Sequence, residues 1–163
     1  MKVSIGKYRK KGGQKVKIHI DKWDTWSMDH TLAMIALPML EQLKETNHGS
    51  ATVDLEDVPE ELRYTTYNDW DSQKRFDFYN EDDKECMLHE RWNWVMDEMI
   101  FAMREIAKAD DSQFFDYSAV NSKDSFGDQI KAMKCDYDAL SAHQDRVQNG
   151  CRLFGHYFQS LWD

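Results

Sequence analysis

Between Met28 and Leu43, five apolar side chains (Met28, Leu32, Ile35, Met39 and Leu43) recur at the spacing of one α-helical face. Leu37 and Leu40 widen that face, which predicts a central, heavily buried helix from about Ser27 to Thr46, capped by Ser27 or Asp29. Pro38 should kink or break it. Asn47-His48-Gly49-Ser50 is its expected stop, with Gly49 taking positive φ. Two further segments carry the same period. Leu88, Trp92, Val95, Met99, Met103 and Ile106 share one face of a helix over 84–109, opposite Glu90, Asn93, Asp97 and Arg104. Leu140, Val147, Cys151, Phe154, Phe158 and Leu161 make the stripe of a helix over 137–161. Gly150 and Gly155 weaken that helix intrinsically, so each is expected at a close helix crossing. Phe154, Phe158 and Trp162 recur every fourth residue and should anchor its end. A shorter helix is expected over 126–133.

The remaining segments read differently. Val3 to Tyr8 and Lys15 to Ile20 alternate with a period of two around a Gly-Gly turn, which predicts a β-hairpin with Val16, Ile18 and Ile20 on one face. Residues 51–83 are acidic and poor in aliphatics, with a short helix expected after Pro59. The rest of that stretch reads as a long loop pinned by Tyr64, Tyr67, Trp70, Phe76, Phe78 and Tyr79. The fold class is therefore mainly α: three long helices in a bundle, an N-terminal β-hairpin over 1–21 and a long acidic loop, all in one domain over 1–163.

Charge constrains partners. The chain carries a net −9, yet its first twenty residues hold seven Lys or Arg and no acid. The acidic body should repel a nucleic-acid backbone, so direct nucleic-acid binding is expected only through the basic hairpin. The apolar run Leu32 to Leu40 is too short to span a bilayer, and no signal peptide is evident, so no membrane partner is expected. Cys86, Cys135 and Cys151 are odd in number and lack CxxC spacing, which points to reduced thiols in a cytoplasm.

No phosphate-binding glycine loop, nucleophile elbow or HExxH motif is present; Asn93 stands where the second zinc histidine would be. Two constellations remain. Asp29, His30, Asp97 and His143, with Glu90 nearby, are the residues a helical bundle could converge on a divalent metal. The alternative for His143, which sits in the apolar stripe, is a core histidine bonded to a neighbouring helix. Trp26, His30, Arg91, Trp94, Asn149 and Arg152, joined by Trp23, Glu98 and Arg146, could line a rim that stacks a base and pairs a phosphate. The plain alternative is tryptophans that pack and arginines in surface ion pairs.

The strings "KIHIDKWDTWSMDHTLAMIALPMLEQLKETNHGS", "VDLEDVPEELR", "RWNWVMDEMIFAM" and "HQDRVQNGCRLFGHYFQSLWD" resemble a family of small acidic proteins encoded by tailed bacteriophages, over about residues 16 to 163. The resemblance implies phage origin and a host-cytoplasm location and carries over no catalytic residue. The expected function is that of a phage accessory protein that binds, for instance in counter-defence or host takeover. Its partner would be a host protein met by an acidic surface, or a small nucleotide held in the aromatic and arginine-lined pocket. A metal-dependent nucleotide phosphohydrolase and a minor virion or assembly component are the alternatives.

Overall fold

The three apolar periods fold as helices: α1 over Met28–Thr46, α3 over Glu85–Lys108 and α5 over Tyr137–His156. The computed structural model describes residues 2–5, 13–63 and 85–162, with side chains at 13–63 and 88–162. The chain is mainly helical. Between the long helices lie α2 over Glu60–Arg63 and α4 over Phe126–Ala132. Strand β1 over Lys2–Ile5 pairs antiparallel with β2 over Val16–His19, Val3 opposite Ile18. Two-residue strands β3 (Phe115–Asp116) and β4 (Lys134–Cys135) clip the α3–α4 connection to the start of α5. The aromatics expected to pin the acidic loop, Tyr64 to Tyr79, lie outside the described residues, as do the first part of the hairpin turn and the Cys86 side chain. No described helix is long and apolar enough to cross a membrane.

Helix starts follow local chemistry. Asp136 accepts a hydrogen bond from the Ala139 amide at the start of α5, and Ser125 accepts one from the Asp128 amide at α4. Ser27 holds the N-cap position of α1 without a side-chain cap bond. Pro38 does not break α1, which runs on to Thr46. Its C-cap Asn47 is extended, and Gly49 does not take positive φ, contrary to the expected stop. A left-handed helix end is found instead at Ala109 (φ 49°), whose amide donates to the Glu105 carbonyl as α3 ends. A Cβ is disfavoured there by about 1 kcal/mol. Ala109→Gly should therefore raise the urea midpoint by an amount equivalent to about 1 kcal/mol, with the slope unchanged.

The central helix is α3, not α1. Both α1 and α5 pack against it. Trp92, Val95, Met96, Met99, Ile100, Ala102 and Met103 are buried, so its apolar arc is wider than one stripe, while Leu88 is exposed. From α1 only Ala33 and Leu40 are buried, with Ala36 and Leu37 half-buried beside them. The stripe expected to face the core does so only in part: Leu43 packs on it and Ile35 is half-buried, but Met28, Leu32 and Met39 are more than half exposed. The small side chains Ala33 and Ala36 let α1 approach α3, and that sets its rotation. At the other end, α5 stops at His156 and a 3-10 turn follows over Phe158–Ser160. Leu153 and Tyr157 anchor this end, whereas Phe158 and Trp162 are exposed. Every residue of β2 is exposed as well.

Candidate functional site

The densest polar cluster forms where residues 53–58 cross the end of α5. Asp54 precedes a 3-10 turn over Leu55–Asp57, and residues three apart eclipse on such a turn. Both carboxylates therefore meet α5 together. Asp57 Oδ1 accepts from Arg152 Nη2 at 2.6 Å, and Asp57 Oδ2 accepts from the Tyr157 hydroxyl at 2.8 Å. That hydroxyl in turn accepts from the Asp54 amide at 3.0 Å. Arg152 also donates twice to Asn149 Oδ1, and His156 Nε2 lies 3.2 Å from Asp54 Oδ2. Below this layer Val53 and Val58 are buried in the core with Trp92, which meets Tyr157 edge-on at 5.8 Å.

Burial works to raise the Asp57 carboxyl, but hydrogen bonds from Arg152 and Tyr157 and the charges of Arg152 and His156 outweigh it and hold it below its ordinary value. Tyr157 is pushed up to about 12, chiefly by burial, with its bond to Asp57 and the charges of Asp57 and Asp54 adding; the Asp54 amide opposes. Because an unfolded tyrosine titrates near ~10, the linked stability is whole below that pH and lost as pH rises through the folded value. In Tyr157→Phe the decline in urea midpoint between pH ~9 and ~11 should be shallower than in the parent. Loss of the hydroxyl bonds should cost about 1–2 kcal/mol at neutral pH. An unchanged alkaline slope would contradict the arrangement.

Asp54, Asp57 and His156 offer ligand atoms within 4.8 Å of one another, the one such group among the described residues. Both Asp57 oxygens already accept hydrogen bonds, and the Arg152 guanidinium lies against one of them. A cation would have to compete with Arg152 and Tyr157 for that carboxylate. The cluster works as a lock that holds residues 53–58 on α5.

A second set of pairs joins α3 to α5. Glu98, buried, takes both Nε and Nη2 of Arg146 at 2.7–3.2 Å, and that guanidinium stacks 3.8 Å above the Phe101 ring. His143 Nε2 lies 3.4 Å from Glu105 Oε2, with its ring against Phe101 and Phe114. Further along, Gly150 is buried against α3. The pairs run in opposite directions along the two helices, so α3 and α5 are antiparallel. By the same reasoning α1 and α3 are antiparallel, since His30 meets Ile106, Glu41 meets Arg104 and Lys44 meets Asp97.

The metal candidates are not brought together. His30 Nδ1 lies 3.1 Å from the Ile106 carbonyl at the end of α3. Asp97 pairs with Lys44, His143 with Glu105, and Asp29 is exposed at the start of α1. The rim candidates divide between opposite ends of the helices. Asn149 and Arg152 belong to the lock. Arg91 is buried, donates from Nε to the Leu62 carbonyl at 2.6 Å, and has an Nη2 without a partner among the described residues. Trp94 packs half-buried on the core. Trp26 lies beyond the far end of α3, where His30 binds. Residues 92 and 106 of α3 are separated by about 20 Å of helix rise, which is too far for one small ligand to bridge the two ends.

Two surface features remain. An open groove of about 380 Å³ between α1 and α3 is lined by Glu41, Lys44, Glu45, Asp97, Ile100 and Arg104, four of them tied in the two cross-helix ion pairs. The other is an aromatic corner. Asp21 and Asp24 accept hydrogen bonds from the Trp23 and Asp21 amides and shape two consecutive turns over 21–26. These turns set the Trp23 and Trp26 rings 5.8 Å apart, 61% and 80% exposed, with Lys22 Nζ 4.8 Å from the Trp23 ring. Sequence reasoning singled out the tryptophans and Arg152 but missed Asp54, Asp57, His156 and Tyr157. The available signal was the pair of aspartates three residues apart just before Pro59. No family model matches the chain, and no curated protein or solved structure shows a significant similarity to it.

Proposed function

We propose that this is a phage accessory protein that works in the host cytoplasm by binding a host protein. We read its three long helices as one bundle that carries the hairpin and the aromatic corner at one end. The observation that carries this reading is the Trp23–Trp26 pair, two large rings held in solvent by a turn that fixes their geometry. Tryptophan is enriched among residues that dominate protein interfaces, and rigid exposed rings lose little entropy on docking. Val16, Ile18 and Ile20, also exposed, extend the apolar surface leading up to the corner. The nucleotide-pocket version has less support, since Arg146 and Arg152 are each taken by a carboxylate and Arg91 is buried on the Leu62 carbonyl. The phosphohydrolase alternative lacks a point where Asp29, His30, Asp97 and His143 meet.

The test is affinity capture from host lysate with the full chain and its Trp23→Ala/Trp26→Ala variant, whose fold is checked by circular dichroism. The expected result is a host protein held in stoichiometric amount by the parent and lost from the variant. Equal retention by both chains would refute the corner as the site. Recovery of virion proteins alone from infected cells would establish the assembly role instead.

A further inference from the structure

Strand β2 pairs with β1 along one edge, and its other edge has no neighbour among the described residues. Its residues are exposed on both faces. Two strands with no third strand or helix against them are marginally stable in water. An open row of backbone N–H and C=O groups is also a template for another strand. The two faces differ in chemistry. Val16, Ile18 and Ile20 alternate with Lys15, Lys17 and His19, so one face is β-branched and apolar and the other is basic. All thirty acids of the chain lie after residue 20. The first of them, Asp21 and Asp24, accept backbone amides in the turns over 21–26, and Lys15 and Lys17 form no ion pair among the described residues.

We propose that an extended segment of the host partner, alternating acidic and apolar residues, adds to the free edge of β2 as a third strand. This rests on the host-protein reading of the same end of the molecule and names the partner's chemistry there. The edge selects a strand, because an extended backbone is what matches a row of alternating donors and acceptors. The faces select its side chains. Carboxylates beside Lys15, Lys17 and His19 contribute roughly 0.2–1 kcal/mol each, and apolar residues beside Val16, Ile18 and Ile20 cover the other face. A second copy of β2 fits in neither phase. One phase sets lysine beside lysine, and a shift of one residue sets lysine beside valine and isoleucine on both faces. A nucleic acid answers the lysines but neither the backbone edge nor the apolar face. Because β2 leads into the turns over 21–26, the added strand runs up to the Trp23–Trp26 corner.

The probe is a labelled peptide of about ten residues alternating glutamate and valine, its binding to the full chain read by fluorescence anisotropy. The expected dissociation constant is on the order of 100 μM, as suits a contact below standard interface size. A peptide with lysine in place of glutamate should bind at least ~10-fold more weakly. N-methylation of every second amide removes the donors on one edge of the peptide, so one phase of methylation should abolish binding and the other should not. Lys15→Glu/Lys17→Glu changes two exposed side chains; its circular dichroism should match the parent's and its preference should reverse to the lysine peptide. No binding of the glutamate peptide at ~1 mM, equal binding of both methylated peptides, or an unreversed preference in the variant overturns the proposal. A thymidine oligonucleotide bound more tightly than the glutamate peptide overturns it as well. Host capture separates this contact from the corner. Capture that survives Lys15→Glu/Lys17→Glu but not Trp23→Ala/Trp26→Ala keeps the corner and removes the strand contact, and the reverse result keeps the strand contact and removes the corner.

Discussion

Replacing Gly150 by leucine should destabilise the protein by about 3 kcal/mol or more, at the upper end for overpacked cores. A Cβ at this position would stand 2.5 Å from Ala102 Cβ and still closer to the Glu98 carbonyl oxygen. Neither neighbour can rotate away: one is backbone and the other is a methyl fixed to it. The two helices must separate. That separation opens the seam where Leu153 and Met99 are fully buried and draws Arg146 away from Glu98. Leucine suits a helix interior better than glycine by up to about 1 kcal/mol, and this opposes the loss without cancelling it. Gly155 supplies the control, because a Cβ there meets nothing within 4 Å. Gly155→Ala should stabilise by roughly 0.5–1 kcal/mol. Urea unfolding of the two variants should give shifts of opposite sign. A Gly150→Leu midpoint equal to the parent's would show that the crossing is looser than described.

The contrast between these glycines shows what the sequence can and cannot convey. Both lie in the same helix and both are weak helix formers, so composition marks them equally; only the partner helix distinguishes them. Helix extents were legible: a period over 84–109 became Glu85–Lys108, and one beginning at Tyr137 began there. Those segments alternate apolar and charged faces, and that alternation fixes both the helix and its phase. In α1 the phase was not legible, because residues 30–40 offer no charged side to define an inside. The choice went to Ala33 and Ala36, whose small size permits close approach and which a count of hydrophobicity ranks below methionine and leucine. The candidate site was harder still. The chain has 21 cationic and 30 acidic side chains, so pairings such as Arg152 with Asp57 or Arg146 with Glu98 depend on the register of distant segments. His143 shows the same dependence. Its place in the apolar stripe was readable, while its partner Glu105 was set by the α3–α5 register.

The tryptophans divide by the same logic, and Trp92→Ala should be the most damaging of their substitutions, at about 3–5 kcal/mol. Trp92 is 2% exposed and shares the core with Val53 and Val58 from the crossing segment, Val95 and Met96 from α3, Leu153 from α5 and Tyr157 just past its end. Truncation removes the largest fully buried side chain among the described residues and leaves a void that the others cannot fill without moving. It also withdraws the ring against which Tyr157 rests edge-on, and Tyr157 in turn fixes Asp57 and Asp54. Loss of Trp92 should therefore loosen the lock as well as the core. Trp92→Phe, which keeps an aromatic ring, should recover more than half of the loss. At the other extreme, Trp26→Ala removes a ring that is 80% exposed and should change stability by no more than about 0.5 kcal/mol. Urea unfolding followed by circular dichroism reads all three variants on one scale. If Trp26→Ala destabilised as much as Trp92→Ala, the corner would be part of the folding core and would no longer be available as a binding surface. A large effect for Trp92 beside a negligible one for Trp26 would leave the exposed pair without a structural reason to be aromatic, and recognition would then be the property that keeps it so.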